Sequence, residues 1–251
     1  MLSLDSVSFR SGDRVLLDAV SFSLPPGQLY GVIGHNGAGK STLIRLLGGE
    51  LLPSSGAVLL DGTAVHTLPP KARARRIAAL PQKLPDAADF LVRELVMLGR
   101  FPWQGWLQRP SAEDVARVEE AMAQTDVARL AAQPVHTLSG GERQRAWLAM
   151  CLAQQSEVLL LDEPFAAMDE RTCRDLLALL RGWQAQGKTV LAVLHDLAQV
   201  RQAFTQTLLL AGRVLAYGPT QSVLTPQNLL RLRMPDGSGE PAGMACQGAA
   251  P

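Results

Sequence analysis

The 251-residue chain has no apolar run approaching the ~20 residues that a membrane-spanning helix requires. Any role at a membrane therefore calls for docking onto another protein. It also lacks a charge excess, with 24 basic residues against 23 acidic ones and a net charge of +1. That balance gives no reason to expect bulk electrostatic binding to nucleic acid. Three cysteines, Cys151, Cys173 and Cys246, are odd in number and share no metal-ligand spacing. They read as buried or incidental thiols in a reducing compartment. The first residues, Met1-Leu2-Ser3-Leu4-Asp5, lack a basic region followed by an apolar stretch, so no secretion signal is expected. Apolar material is plentiful, at 47% of residues, which suits one large domain or a core with a smaller subdomain.

One stretch organises the rest. Gly34-His35-Asn36-Gly37-Ala38-Gly39-Lys40-Ser41 fits G-x-x-x-x-G-K-[ST], the phosphate-binding loop of nucleotide hydrolases. Glycines let consecutive backbone N–H groups turn inward on an anion without Cβ clashes. Residues 28–33 before it read as a buried strand. Residues 42–47 after it, from Thr42 on, read as a helix whose N-terminus favours phosphate. Lys40 is expected to reach the β- and γ-phosphates, and the Ser41 hydroxyl to ligate magnesium.

Around this unit, residues 2–9 and 15–24 read as strands, and 57–60 and 77–80 as two more. Residues 71–76, with four basic side chains, read as a solvated helix face. Residues 90–98 suit a helix, and Gly99 to Trp106 an aromatic-rich loop. Ser111 with Asp114 opens a helix running to about Gln124. Ser139 with Glu142 forms the same capping pattern, and the helix it starts carries Trp147, Leu148, Cys151 and Leu152 on one face. Gly140 and Gly141 weaken the first turn of that helix. A helix start that accepts this cost usually needs its backbone near something, and an anion is the natural candidate. Val158-Leu159-Leu160-Leu161 has the continuous apolar character of a central parallel strand, and ends in Asp162-Glu163. Residues 175–183 read as helix. Residues 189–194 read as a second buried strand ending at His195, and 207–217 as a terminal hairpin. Asp162 can hold magnesium through water, while Glu163 orients or deprotonates the attacking water.

The order of these features resembles an ATP-binding cassette (ABC) ATPase over roughly residues 2–228. The run Leu138-Ser139-Gly140-Gly141-Glu142 is the part that separates this family from other phosphate-loop enzymes. The resemblance implies an α/β fold: a P-loop core with an antiparallel β subdomain (1–84 and 156–228), a helical subdomain at 85–155, and a loosely ordered tail at 229–251. It implies ATP and Mg²⁺ as cofactors, with Ser41, Gln82 and Asp162 at the metal. It also implies a head-to-tail homodimer in which each ATP lies between one subunit's phosphate loop and the other's Ser139-Gly140-Gly141. By motif, Gln82 corresponds to the Q-loop residue, Asp169 to the D-loop residue and His195 to the switch histidine at the γ-phosphate.

Two departures stand out. Many members place an aromatic near position 11 to stack on adenine. This chain has Ser11, leaving Phe9 or Arg14 to take its place. After Glu163 the chain reads Pro164-Phe165-Ala166-Ala167-Met168-Asp169, where many members read Thr-Ser-Ala-Leu-Asp, so a serine hydroxyl is missing at Ala166.

The chain has no long coiled coil of DNA-acting members, no second cassette and no fused membrane span. A stand-alone cassette that docks on separate permease chains fits, which places it at the cytoplasmic face of the bacterial inner membrane. Residues 34–37, 99–105 and 138–150 look like the ATPase subunit of ferric-siderophore importers, nearest the ferric-hydroxamate (ferrichrome-type) branch. That branch implies a periplasmic or lipoprotein substrate-binding partner, with Trp103 and Trp106 as apolar anchors for the permease. Haem and cobalamin importers share the same ATPase chemistry, and a regulatory ATPase without a permease is the alternative of another class.

Overall fold

The computed structural model describes residues 1–233 except 88, 106–108 and 167. Trp106, Ala167, Cys246 and the tail beyond 233 therefore lie outside the described residues. The chain opens with β1 (Leu2–Ser11), β2 (Arg14–Leu24) and β3 (Leu29–Ile33), then α1 (Lys40–Leu47), β4 (Ser55–Leu60) and the short β5 (Thr63–Ala64). Next come α2 (Pro70–Arg76), β6 (Ile77–Leu80), α3 (Val92–Leu98), α4 (Ala112–Gln124) and α5 (Gly140–Ala153). The second half holds β7 (Val158–Asp162), α6 (Glu170–Ala185), β8 (Thr189–Val193), α7 (Leu197–Ala203), β9 (Gln206–Leu210), β10 (Val214–Pro219), α8 (Thr220–Val223) and α9 (Pro226–Arg233).

Two sheets result. An antiparallel one runs β2-β1-β4-β5; a six-stranded one runs β10-β9-β3-β8-β7-β6 and is parallel apart from the β10 edge. The central strands β3, β7 and β8 are buried at every residue, because both faces of the parallel sheet are covered. Their side chains alternate between two cores. Leu159, Leu161, Val190 and Ala192 join the core shared with α3–α6. Val158, Leu160, Leu191 and Val193 join the one shared with α1 and the antiparallel sheet.

Parallel strands point their C-terminal ends the same way. The phosphate loop after β3, Gln82 after β6, Glu163 after β7 and His195 after β8 therefore share one edge, where open α/β sheets place their ligands.

Three sequence expectations change. The basic helix α2 is not simply a solvated face. Lys71 Nζ donates to the Gln104 carbonyl at 2.8 Å and Arg75 Nε to the Pro102 carbonyl at 3.0 Å, so α2 pins down the aromatic loop. Helix α5 is not amphipathic; apolar residues are buried nearly all round it, from Ala146 to Ala149 and from Cys151 to Ala153, as suits a helix wedged between other helices and the sheet. Residues 229–233 belong to α9 rather than to a loose tail.

In the helical block, Arg100 is buried with Asp114. Its Nε donates to Asp114 Oδ1 at 2.8 Å and its Nη1 to the Ala153 carbonyl at 2.8 Å. Burial would raise the Asp114 pKa, but hydrogen bonds from Arg100 and Ser111 outweigh it and hold the carboxyl below its usual range. Trp103 lies beside this pair. Its indole N–H donates to the Gln154 carbonyl, and the Arg75 and Arg100 guanidiniums flank its ring at 5.0 and 5.4 Å. Its outer face stays exposed, as does Phe101.

Candidate functional site

The phosphate loop is shaped by contacts that tolerate no side chain. A Cβ at Gly34 would sit 2.5 Å from the Leu210 carbonyl oxygen. Gly39 has φ +92°, and a Cβ there would meet Leu17 Cδ2 at 2.6 Å. Behind the loop, Gly212 in the β9–β10 turn donates to the Ala38 carbonyl and accepts from Asp18 N–H, tying the loop to β2. No local sequence signal marks Gly212, because its partners are distant in the chain. Ala38 is buried beneath the loop, while His35 and Asn36 are exposed, with His35 Nδ1 2.8 Å from the Asn36 carbonyl oxygen.

Helix α1 begins at Gly39 with no side-chain cap, which leaves its N-terminus open for an anion. Lys40 is almost fully buried, and its Nζ donates to the Gly34 and His35 carbonyls at 2.9 and 3.0 Å. Burial lowers its pKa; the carboxylates of Glu163 and Asp162 pull the other way. A phosphate arriving at the loop offers the ammonium stronger, charge-assisted partners than these two carbonyls.

Asn36, Gly37, Gly39, Lys40, Ser41 and Thr42 line one open cavity of about 400 Å³ together with Gln82, Glu163, Arg14 and Leu16. Phe9 instead packs toward the core under the antiparallel sheet.

Asp162 ends β7 and is buried. Desolvation raises its pKa and the neighbouring Glu163 adds to that; a hydrogen bond with Ser41 and the charges of Lys40 and His195 oppose it. Its Oδ1 is buried without a hydrogen-bond partner. An orphaned carboxylate oxygen beside a serine hydroxyl is a donor set that suits a hard divalent cation. Glu163 has φ +54°, an uncommon backbone state for a non-glycine residue and one held by its surroundings. Its Oε1 lies 2.6 Å from His195 Nε2, so carboxylate and imidazole are already paired.

The structure does not bring Ser139, Gly140, Gly141, Glu142 or Asp169 into the lining of this cavity. Ser139 caps α5: its Oγ accepts from Glu142 N–H at 3.4 Å and donates to Glu142 Oε2 at 2.8 Å. Glu142 turns back on the cap and pairs with Arg129 at 3.3 Å rather than pointing outward. Hydrogen bonds to Ser139 hold its carboxyl below the usual range. Gly140 is exposed and Gly141 half-buried. Asp169 caps α6, accepting from Thr172 N–H and Oγ1 at 2.9 Å each, at the rim of a separate cavity.

Known proteins bear on this geometry. The ABC transporter family model matches residues 17–166. An achromobactin transport ATP-binding protein of Dickeya dadantii is 47% identical over 186 residues, covering 73% of this chain and 69% of the relative. The iron(3+)-hydroxamate import ATP-binding protein of Bacillus subtilis is 39% identical over 230 residues (91% and 86%). A hemin import ATP-binding protein of Pseudomonas entomophila is 42% identical over 235 residues, 91% of each. Among solved structures, a dimeric ATP-binding cassette in a post-hydrolysis state, bound to ADP and Pi, superposes with a TM-score of 0.79 at 26% identity, covering 88% of this chain and 99% of that one.

Proposed function

The chain belongs to the ABC transporter family, and from that membership we propose that it is the ATP-hydrolysing subunit of an iron(III)-siderophore importer of the hydroxamate type. The observation that carries the mechanism is the incomplete cavity. Phosphate loop, Gln82 and Glu163 converge in one chain, while the capped, glycine-bearing end of α5 stays apart from them. A head-to-tail homodimer supplies the missing wall, presenting Ser139, Gly140 and Gly141 of one subunit to the triphosphate held by the other, with Asp169 at the seam.

In this reading Lys40 and the backbone of residues 34–42 grip the β- and γ-phosphates. Ser41, Gln82 and Asp162 are the residues that would hold Mg²⁺, and the ion, when bound, would supply positive charge against the phosphate oxygens. Glu163 orients the attacking water and takes its proton, and His195 steadies Glu163 and reaches the γ-phosphate. Residues 1–84 and 156–228 form the nucleotide-binding core, and 85–155 the helical subdomain that meets the permease at the cytoplasmic face of the inner membrane. Among the described residues no helix is long and apolar enough to cross a membrane, so that attachment is peripheral.

The test is purification of the complex with its permease and substrate-binding protein, followed by ATPase assay across ferric hydroxamates, other ferric chelates and haem. Stimulation by ferric hydroxamates supports the cargo. Stimulation by haem alone supports the second reading, which the hemin-import relative favours. Failure to co-purify with any permease favours a regulatory ATPase.

A further inference from the structure

The six-stranded sheet ends at β6, which pairs only with β7 among the described residues. An edge strand leaves a row of backbone groups without a strand to bond them. Here α5 supplies partners instead. Gln154 caps the C-terminal end of α5, and its side-chain Nε2 donates to the Ile77 carbonyl at 2.9 Å and to the Ala74 carbonyl in the last turn of α2. One turn earlier, Cys151 Sγ lies 3.6 Å from the Ala79 carbonyl oxygen. Burial pushes that thiol up to about 12, so it stays an S–H donor. The Ile77 and Ala79 carbonyls, two residues apart on β6, thus both meet α5.

The same end of α5 is itself held in place. The carbonyls of Ala153 and Gln154 have no partner within the helix, and accept instead from Arg100 Nη1 and the Trp103 indole N–H at 2.8 Å each. A Cβ at Gly99 would collide with the Met150 carbonyl oxygen, so the chain ahead of Arg100 lies flush on the helix. With its end fixed, α5 can fix the strand beside it. That strand ends at Leu80, and Gln82, two residues on, lines the cavity with Lys40, Ser41 and Glu163. Gln82 is exposed, so its position rests on the backbone that carries it.

We propose that Gln154 is a positioning residue for hydrolysis: its amide, anchored on α5, holds the start of β6 and so sets where Gln82 stands at the cavity. This rests on the nucleotide-binding reading above and adds to it a residue on the far side of the strand. Gln154 touches neither the cavity nor the phosphate loop, so it acts only through the strand. The N–H donors are the part that matters. A side chain of the same length without them leaves the Ile77 and Ala74 carbonyls unanswered and the edge strand held by β7 alone.

The test combines steady-state ATPase kinetics of the full chain with hydrogen exchange. Gln154→Met should lower kcat by about tenfold with KM within about twofold of wild type, because the cost is misplacement of a reacting-end group and not loss of a phosphate contact. Gln154→Glu, which keeps the shape and replaces the donor by an acceptor, should behave alike and serves if the first variant does not fold. In a Gln82→Ala background, adding Gln154→Met should change the residual kcat by less than about twofold, since the two act as one unit. Backbone exchange should quicken at residues 77–82 while 29–33 and 189–193 keep their protection. The proposal is overturned if kcat is unchanged, if KM rises as much as kcat falls, if the full loss recurs without Gln82, or if exchange at 77–82 is unaltered. In each of these cases a wild type that hydrolyses ATP leaves the nucleotide-binding reading standing. A folded wild type that neither binds nor hydrolyses ATP overturns that reading and the proposal together.

Discussion

Two helices in this chain start with glycine at their tips, and they start differently. Helix α1 follows Gly39 in a left-handed conformation, with no side chain closing its end. Helix α5 follows Ser139, and its first turn is closed by a reciprocal pair with Glu142. The first end has no side-chain cap and offers the buried Lys40 ammonium; the second is exposed and carries a carboxylate of its own. An anion therefore binds first at α1. At α5 it must share the end with Glu142, so that helix contributes only once something presses it against an anion already held. The asymmetry matches a site assembled from two copies.

Removing the cation at the open end should do most. Lys40→Ala is expected to weaken triphosphate binding by about a hundredfold, since charge-assisted hydrogen bonds to phosphate are lost; titration of the monomer measures it. Gly39→Ala comes next. The added methyl meets Leu17 and the Leu16 carbonyl in a left-handed backbone, so a loss of about 2–3 kcal/mol in stability and a tenfold loss in binding are expected from melting and titration. At the closed end, Ser139→Ala should cost about 1 kcal/mol of stability. It should lower hydrolysis while leaving nucleotide binding to the monomer intact; equal loss of monomer binding would erase the distinction between the two ends.

The smallest effect concerns Glu142. Its folded pKa is depressed by Ser139, so its contribution to stability is present above the unfolded value and is lost as pH falls through the folded one. Between pH 5 and 3 the wild type should lose more in Tm than Glu142→Gln, by less than about 2 °C.

Much of this was legible because the signals are local. The apolar run at 158–161 announced a strand buried on both faces, and both capping boxes sit where Ser111 and Ser139 indicated. Other features were hidden for physical reasons. Helix α6 begins at Glu170, five residues before its apolar periodicity is evident, because its first turns bury only Cys173; the Asp169 cap was the available signal. The clamp of Arg75 on the aromatic loop and the Gly212 bridge behind the phosphate loop join residues far apart in the chain, which no local pattern reports. The packing of half-buried Phe9 against the core, while Arg14 lines the cavity, follows from hairpin register, and register needs the paired strand.

The pairing of the two helix ends is tested most directly by sedimentation velocity of Glu163→Gln with and without Mg-ATP. Slowed hydrolysis should hold the triphosphate in place, so a monomer alone should become a dimer when Mg-ATP is added, and adding Ser139→Ala should return it toward monomer. A Glu163→Gln protein that binds Mg-ATP and still sediments only as a monomer would contradict the account.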